Sequence, residues 1–185
     1  MEELWLARHG QTEWSRMRRH TGRTDVPLEP EGEDAARALG KRLAEYDVDL
    51  VLASPLQRAW RTAELAGLVP VVEPRAVEWD YGDYEGLTSE QIRRRVPGWS
   101  VWTGPVPGGE SIEDVAHRAD AVLARIREAP GRRCLLVAHA HFLRVLAARW
   151  IGQPPQLGGN LALDTATLGV LADDRGVPVI QRWNA

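Results

Sequence analysis

The sequence predicts an α/β fold in three layers, with a mostly parallel central sheet between helices. Three observations predict it. Short apolar runs alternate with amphipathic segments along the chain, the pattern left by parallel strands joined by helical crossovers. Several runs, such as Leu4–Ala7 and Cys134–Ala138, are apolar without a break, as strands buried on both faces must be. No repeat or linker divides the 185 residues. They are read as a single domain, 1–185, with one sizeable core and a lid-like segment near 74–110.

Leu4–Ala7 is the first strand, brief and without helical spacing. A polar, arginine-rich loop follows to about Glu31. Residues 31–46 place Ala35, Leu39 and Leu43 on one helical face. Leu50–Ala53 is a second strand. Pro55 suits a first helical position and opens a helix to about Leu68. Val69–Val72 is a weaker strand and 88–96 a short helix. The stretch Val96–Gly109, rich in Pro, Gly and Trp, is a structured loop of the length that often serves as a lid. Ser111 and Asp114 form a capping box before Ile112, Val115, Ala119, Val122 and Ile126 at helical spacing. Cys134–Ala138 is a strand and Phe142–Ile151 a helix. Two last strands, 167–172 and 177–183, flank a turn at Asp173–Gly176.

Composition narrows the function. Hydrophobic residues make up 44% and charged residues 26%, ordinary for a globular protein. A net charge of −3 gives no electrostatic case for nucleic-acid binding. The Met-Glu-Glu start lacks the pattern of a signal peptide, and no apolar run approaches membrane-spanning length. One cysteine, Cys134, rules out an intrachain disulfide and fits a reducing compartment. A cytoplasmic protein without membrane or nucleic-acid partners is expected.

Three predicted strands end alike. The first ends at Arg8-His9. The second ends at Ser54-Pro55, with Arg58 one turn beyond. The late strand ends at His139. Parallel strands would bring these groups to one edge of the sheet, where ligands of open α/β sheets bind. Two arginines and two histidines converging there suit an anion, because the guanidinium fork matches phosphate oxygens. His139 and His141 lack a nearby carboxylate at metal-ligand spacing, so no metal is expected.

These residues carry a family resemblance. Arg8-His9-Gly10-Gln11-Thr12-Glu13-Trp14 resembles the signature of the histidine phosphatases, the phosphoglycerate mutase-like superfamily. Ser54-Pro55-Leu56-Gln57-Arg58-Ala59 with Thr62-Ala63 is similar to its second motif, and Val137-Ala138-His139 to its third. The run Glu78 to Gly86 resembles the segment with its acidic residue, and Gly108-Gly109-Glu110-Ser111 another landmark. The resemblance implies a phosphoglycerate mutase-like fold and no cofactor. It makes His9 the nucleophile, taking the phosphoryl group as phosphohistidine. It gives Arg8, Arg58 and His139 the phosphoryl oxygens, and makes Glu78 the acid and then the base. A protonated His139 would add to the positive charge. Gln11, Ser15, Thr21, Gly22 and Ala140 complete the implied phosphate- and substrate-binding set.

Two positions depart from the family pattern. Many relatives carry asparagine, which reaches the phosphate, where the shorter Ser15 stands. Most carry glycine where Ala140 stands, so a methyl group would face the pocket and a positive φ would be costly. Asp80 rivals Glu78 for the acid role, and His141 could touch substrate. Arg16, Arg18, Arg19 and Arg23 either steer an anion or face solvent. Arg93-Arg94-Arg95 reads as the polar side of a helix, His117 as structural, and Trp99 and Trp102 as one core and one lid residue.

Only about two dozen residues separate Gly86 from Gly109, whereas mutases of the family carry a longer insertion there that excludes water. The expected activity is therefore metal-independent hydrolysis of small phosphorylated metabolites, with sugar phosphates or similar monoesters as substrates. Cofactor-dependent phosphoglycerate mutase activity and a non-catalytic phospho-ligand module are the alternatives. The resemblance also leaves room for a homodimer.

Overall fold

The computed structural model describes residues 2–185. In chain order its elements are β1 (Glu3–Arg8), α1 (Glu13–Arg16), α2 (Pro30–Leu43), β2 (Leu50–Ala53), α3 (Gln57–Leu65), β3 (Val71–Val72), α4 (Ser89–Arg95), α5 (Ile112–Glu128), β4 (Arg133–Ala138), α6 (Ala140–Trp150), β5 (Leu168–Asp174) and β6 (Val177–Arg182). One sheet runs β3-β2-β4-β1-β5-β6. The β1–β4, β4–β2 and β2–β3 pairs are parallel; β5 and β6 are antiparallel additions at one side.

Alternation along the strands divides the core into two layers. Leu4, Leu6 and Leu136 face α5, α6 and the 74–110 segment; Trp5, Ala7 and Leu135 face α2 and α3. Burial pushes the Cys134 thiol up to about 12, so it is inert at neutral pH. Among the described residues no helix is long and apolar enough to cross a membrane.

Several boundaries differ from the sequence reading. Pro55 is not the first helical residue: Leu56 is the N-cap of α3, its N–H turned to the Ser54 hydroxyl at 3.3 Å. The weak third strand shrinks to Val71–Val72, an exposed edge. α6 starts two residues early, at Ala140, because His139 keeps extended angles (φ −123°, ψ 160°) and serves as N-cap. β5 runs to Asp174, leaving Arg175 (φ 56°) and Gly176 (φ 86°) as a two-residue turn. Positive φ at both is what the strand twist demands of such a turn. α1 and three short 3₁₀ turns, Pro74–Ala76, Gly82–Tyr84 and Pro155–Asn160, were not anticipated.

The 74–110 segment is packed onto the first core through Tyr84, Ile92, Trp99 and Val101. On the opposite side, the loop after β1 lies directly against α2. A Cβ on Gly10 would stand 2.3 Å from the Gly32 carbonyl oxygen, and one on Gly32 would stand 2.2 Å from that of Gln11. Gly32→Ala sets two effects against each other. Helix propensity favours alanine by about 1 kcal/mol, while overpacking against fixed backbone costs about 1–3 kcal/mol. The clash wins, and urea unfolding should show a destabilised variant; a stabilised one would refute the contact.

Candidate active site

The strand order makes β2, β4 and β1 neighbours. Their carboxyl ends therefore lie side by side, and the His9 and His139 rings stand 5.2 Å apart. His9 Nδ1–H donates to the Gly10 carbonyl at 2.7 Å, leaving Nε2 with its lone pair. Gly10 N–H in turn donates to Thr62 Oγ1 at 3.0 Å, and that hydroxyl donates to the Arg58 carbonyl at 2.7 Å. Burial, and after it Arg58 and Arg8, holds His9 well below the usual histidine range. It is a neutral, oriented imidazole.

Arg58 has no solvent exposure. Its Nε donates to His139 Nδ1 at 3.2 Å, Nη1 to the Thr24 carbonyl at 2.9 Å, and Nη2 to those of Thr21 (3.1 Å) and Gly22 (2.9 Å). A nitrogen that accepts from a guanidinium is unprotonated, so His139 Nε2–H donates to Ser54 Oγ at 2.8 Å. Burial first, then Arg58, holds His139 well below its ordinary value. The expected protonated His139 is thus corrected: two guanidiniums supply the charge. Arg8 donates Nη1–H to the Leu163 carbonyl at 2.6 Å, while its buried Nε has no partner among the described residues. A buried guanidinium N–H without an acceptor is costly, and an anion beside His9 would satisfy it.

Glu78 is 5% exposed and caps α6. Oε1 accepts from the N–H groups of Trp79 and Phe142, both at 2.9 Å, and Oε2 from that of His141 at 3.0 Å. Burial raises this carboxyl and outweighs the three amides, which lower it. Oε2, with one bond, has the freer lone pair for a proton. Asp80 is differently placed: it accepts from Gly82 N–H at 3.0 Å and pairs with Arg23 at 2.5 Å, outside the cleft. Arg118, unremarked in the sequence, fixes the Glu78 segment. It grips Glu110 at 2.7 and 2.8 Å and donates to the carbonyls of Arg75 (2.6 Å) and Val77 (3.0 Å).

Above these groups opens a cleft of about 440 Å³, walled by Arg8, His9, Ser15, Thr21, Glu78, Ala140 and His141 among others. Arg58 and His139 lie beneath it rather than on its wall. The structure does not bring all the expected residues together. Gln11 turns to Glu29 at 3.2 Å, and Gly22 N–H is held by Glu85 at 2.9 and 3.0 Å; neither lines the cleft. Ser15 lines it, but its hydroxyl proton is committed to the Thr12 carbonyl at 3.0 Å. Ala140 is not at positive φ; it is the first residue of α6, where alanine is favourable. Its N–H has no acceptor among the described residues, and free amides at a helix N-terminus suit an anion.

Other residues complete the wall, some of them not singled out in the sequence. Tyr81 O–H and His141 Nδ1 are bonded at 2.5 Å. His20 lies 4.7 Å from the Tyr81 ring, and burial followed by Arg93 lowers it to about 4. Leu163 comes from 155 residues past Arg8, and Asp164 follows it, held by Asn184 at 2.7 and 2.9 Å. Arg144 could have been found, since it lies one helical turn from Ala140 on the same face. Trp99 is buried in the core, while half-buried Trp102 walls the cleft. His117 is exposed.

Residues 4–185 match the histidine phosphatase superfamily (branch 1). The chain belongs to that family. An acid phosphatase of Mycobacterium tuberculosis is 43% identical over 178 residues, covering 94% of this chain and 88% of the relative. A solved open reading frame from the same organism superposes with a TM-score of 0.95 at 41% identity, over 99% of this chain and 97% of that one. A mycobacterial glucosyl-3-phosphoglycerate phosphatase solved with VO3 gives 0.88 at 30% identity, over 100% of both chains. The sequence-predicted fold class and family are those found, and the chain is a phosphatase of the histidine type.

If Arg118 holds Glu78 in place, Arg118→Met should lower kcat more than it raises KM. It should also cost about 1.5–3 kcal/mol in urea unfolding, the range for hydrogen bonds to charged groups. A folded variant with unchanged kcat would refute the positioning role.

Proposed function

We propose that this phosphatase hydrolyses small phosphomonoesters in the cytoplasm through a phosphohistidine on His9 Nε2. The observation that carries the reading is the imidazole itself: neutral, with Nδ1–H fixed on a carbonyl and Nε2 free. In the first step the Nε2 lone pair attacks phosphorus, the ester P–O bond breaks, and the leaving oxygen takes the Glu78 proton. In the second, Glu78 carboxylate takes a proton from water, whose oxygen attacks phosphorus. The P–N bond then breaks and returns its electron pair to Nε2. Arg8 Nε–H, Ala140 N–H and the charge of Arg58 stabilise the oxygens, so that guanidiniums do what metal ions do elsewhere.

Hydrolysis is favoured over transfer to a second substrate because the Gly86–Gly109 segment packs down on the core through Ile92, Trp99 and Val101. It supplies one wall of the cleft and no cover that would keep water from the phosphohistidine. The acid phosphatase relative supports the same reading.

His9→Ala should abolish phosphate release across a panel of phosphorylated metabolites; activity that survives would overturn the mechanism. A chelator should leave the wild-type rate unchanged, and loss of activity in EDTA would overturn the role given to the arginines. Glu78→Gln should slow alkyl phosphates by about 10²–10⁴-fold. p-Nitrophenyl phosphate, whose leaving group needs no proton, should instead give a burst of nitrophenolate and trapped phosphohistidine. Since Glu78 is raised and His9 depressed, kcat/KM should be highest on the acid side. It should fall as pH rises through the raised Glu78 value and removes the required proton. A flat profile over roughly pH 4–9 would refute the acid assignment.

A further inference from the structure

We propose that the mouth of the cleft is a second anion subsite, so that the substrate is a phosphomonoester bearing a second anionic group, phosphate or carboxylate. The inference rests on the phosphatase reading and names its substrate class. Arg18, Arg19, Arg93 and Arg144 all line the cleft that holds His9. Their neighbours in sequence pair with carboxylates: Arg16 with Glu29 at 3.0 Å, Arg23 with Asp80, and Arg94 with Glu90 at 2.6 Å. Among the described residues no carboxylate lies within 4.0 Å of the four in the cleft. Yet the chain has 26 acidic against 23 basic side chains, so counter-ions are not scarce. Four like charges sharing one recess repel each other, and an anionic ligand relieves that repulsion.

Two of the four are held in position by the protein. Arg93 Nε donates to the Trp99 carbonyl at 2.9 Å, leaving both terminal nitrogens unused. Arg144 bonds the carbonyls of Gly158 (2.8 Å) and Gly159 (3.1 Å), with its guanidinium 4.5 Å above the Trp102 ring. Arg18 has φ 55°, an uncommon conformation for a residue other than glycine. The two carboxylates on the cleft wall are engaged elsewhere, Glu78 on α6 and Asp164 with Asn184. The volume of about 440 Å³ falls within the roughly 300–1,000 Å³ of whole-metabolite sites. It is more than one phosphoryl group at His9 would fill.

The test compares glucose 6-phosphate, glucose 1,6-bisphosphate and 6-phosphogluconate as substrates of the wild-type enzyme and of an Arg18→Asn, Arg93→Gln variant. Asparagine is chosen because it tolerates positive φ. The wild type should prefer at least one doubly anionic compound by about tenfold in kcat/KM, about 1.4 kcal/mol, expressed mainly in KM. The compound preferred tells phosphate from carboxylate. In the variant the ratio of doubly to singly anionic kcat/KM should fall about tenfold, a ratio that a general loss of activity does not move. A wild-type ratio near one, or a ratio unchanged by the substitutions, would overturn the subsite. Failure to hydrolyse all three compounds and p-nitrophenyl phosphate would instead overturn the phosphatase reading beneath it.

Discussion

The guanidinium of Arg58 is cut off from solvent and has no carboxylate within ion-pair reach among the described residues. Burying a cation in that way costs several kcal/mol unless its donors are all but satisfied. Here four of its N–H groups are satisfied, three of them by the carbonyls of Thr21, Gly22 and Thr24. The loop after β1 is thereby drawn onto α3. The fourth N–H goes to His139, which fixes that ring's tautomer and keeps it neutral. Burial depresses His9, and the same positive charge depresses it further. One buried cation thus shapes the loop and the polarity of the cleft floor, and adds to burial in keeping two histidines neutral.

Glu78 shows a second balance, between burial and dipoles. A carboxylate at a helix N-terminus is stabilised by the unsatisfied N–H groups there, while burial disfavours its charge. The role proposed for Glu78, giving up a proton in one step and accepting one in the next, requires that neither effect dominate completely. Two amides at the start of α6, those of His141 and Phe142, thus hold the Glu78 carboxyl, while Ala140, the helix's first residue, lines the cleft.

Much of this was legible because it is written locally. Apolar runs and their polar ends gave the four parallel strands and three of the converging groups, since a strand's terminus fixes where its next residue points. Ser111 and Asp114 announced their helix through side-chain chemistry confined to four residues. What escaped depends on distant partners. Nothing near Arg16, Arg18, Arg19 or Arg23 tells which meet a carboxylate, because Glu29 and Asp80 are placed by the fold. Ala140 was misjudged for a related reason: its backbone is governed by the helix that begins there, not by the glycine of its relatives. The Ser15 hydroxyl was lost to a capping box that only α1 could create.

The position of β1 has a kinetic meaning. The strand that carries Arg8 and His9 is synthesised before the other five of its sheet, yet it pairs with β4 and β5, the nearer of them 130 residues further along. Closing a loop of that length costs entropy before any strand pairing offsets it, and such non-local contacts slow folding. During synthesis the strand of His9 therefore waits, apolar and unpaired, until β4 and β5 have emerged. Arg8 and His9 thus sit on a strand whose partners arrive late, and an unpaired apolar strand is open to misassembly in the meantime.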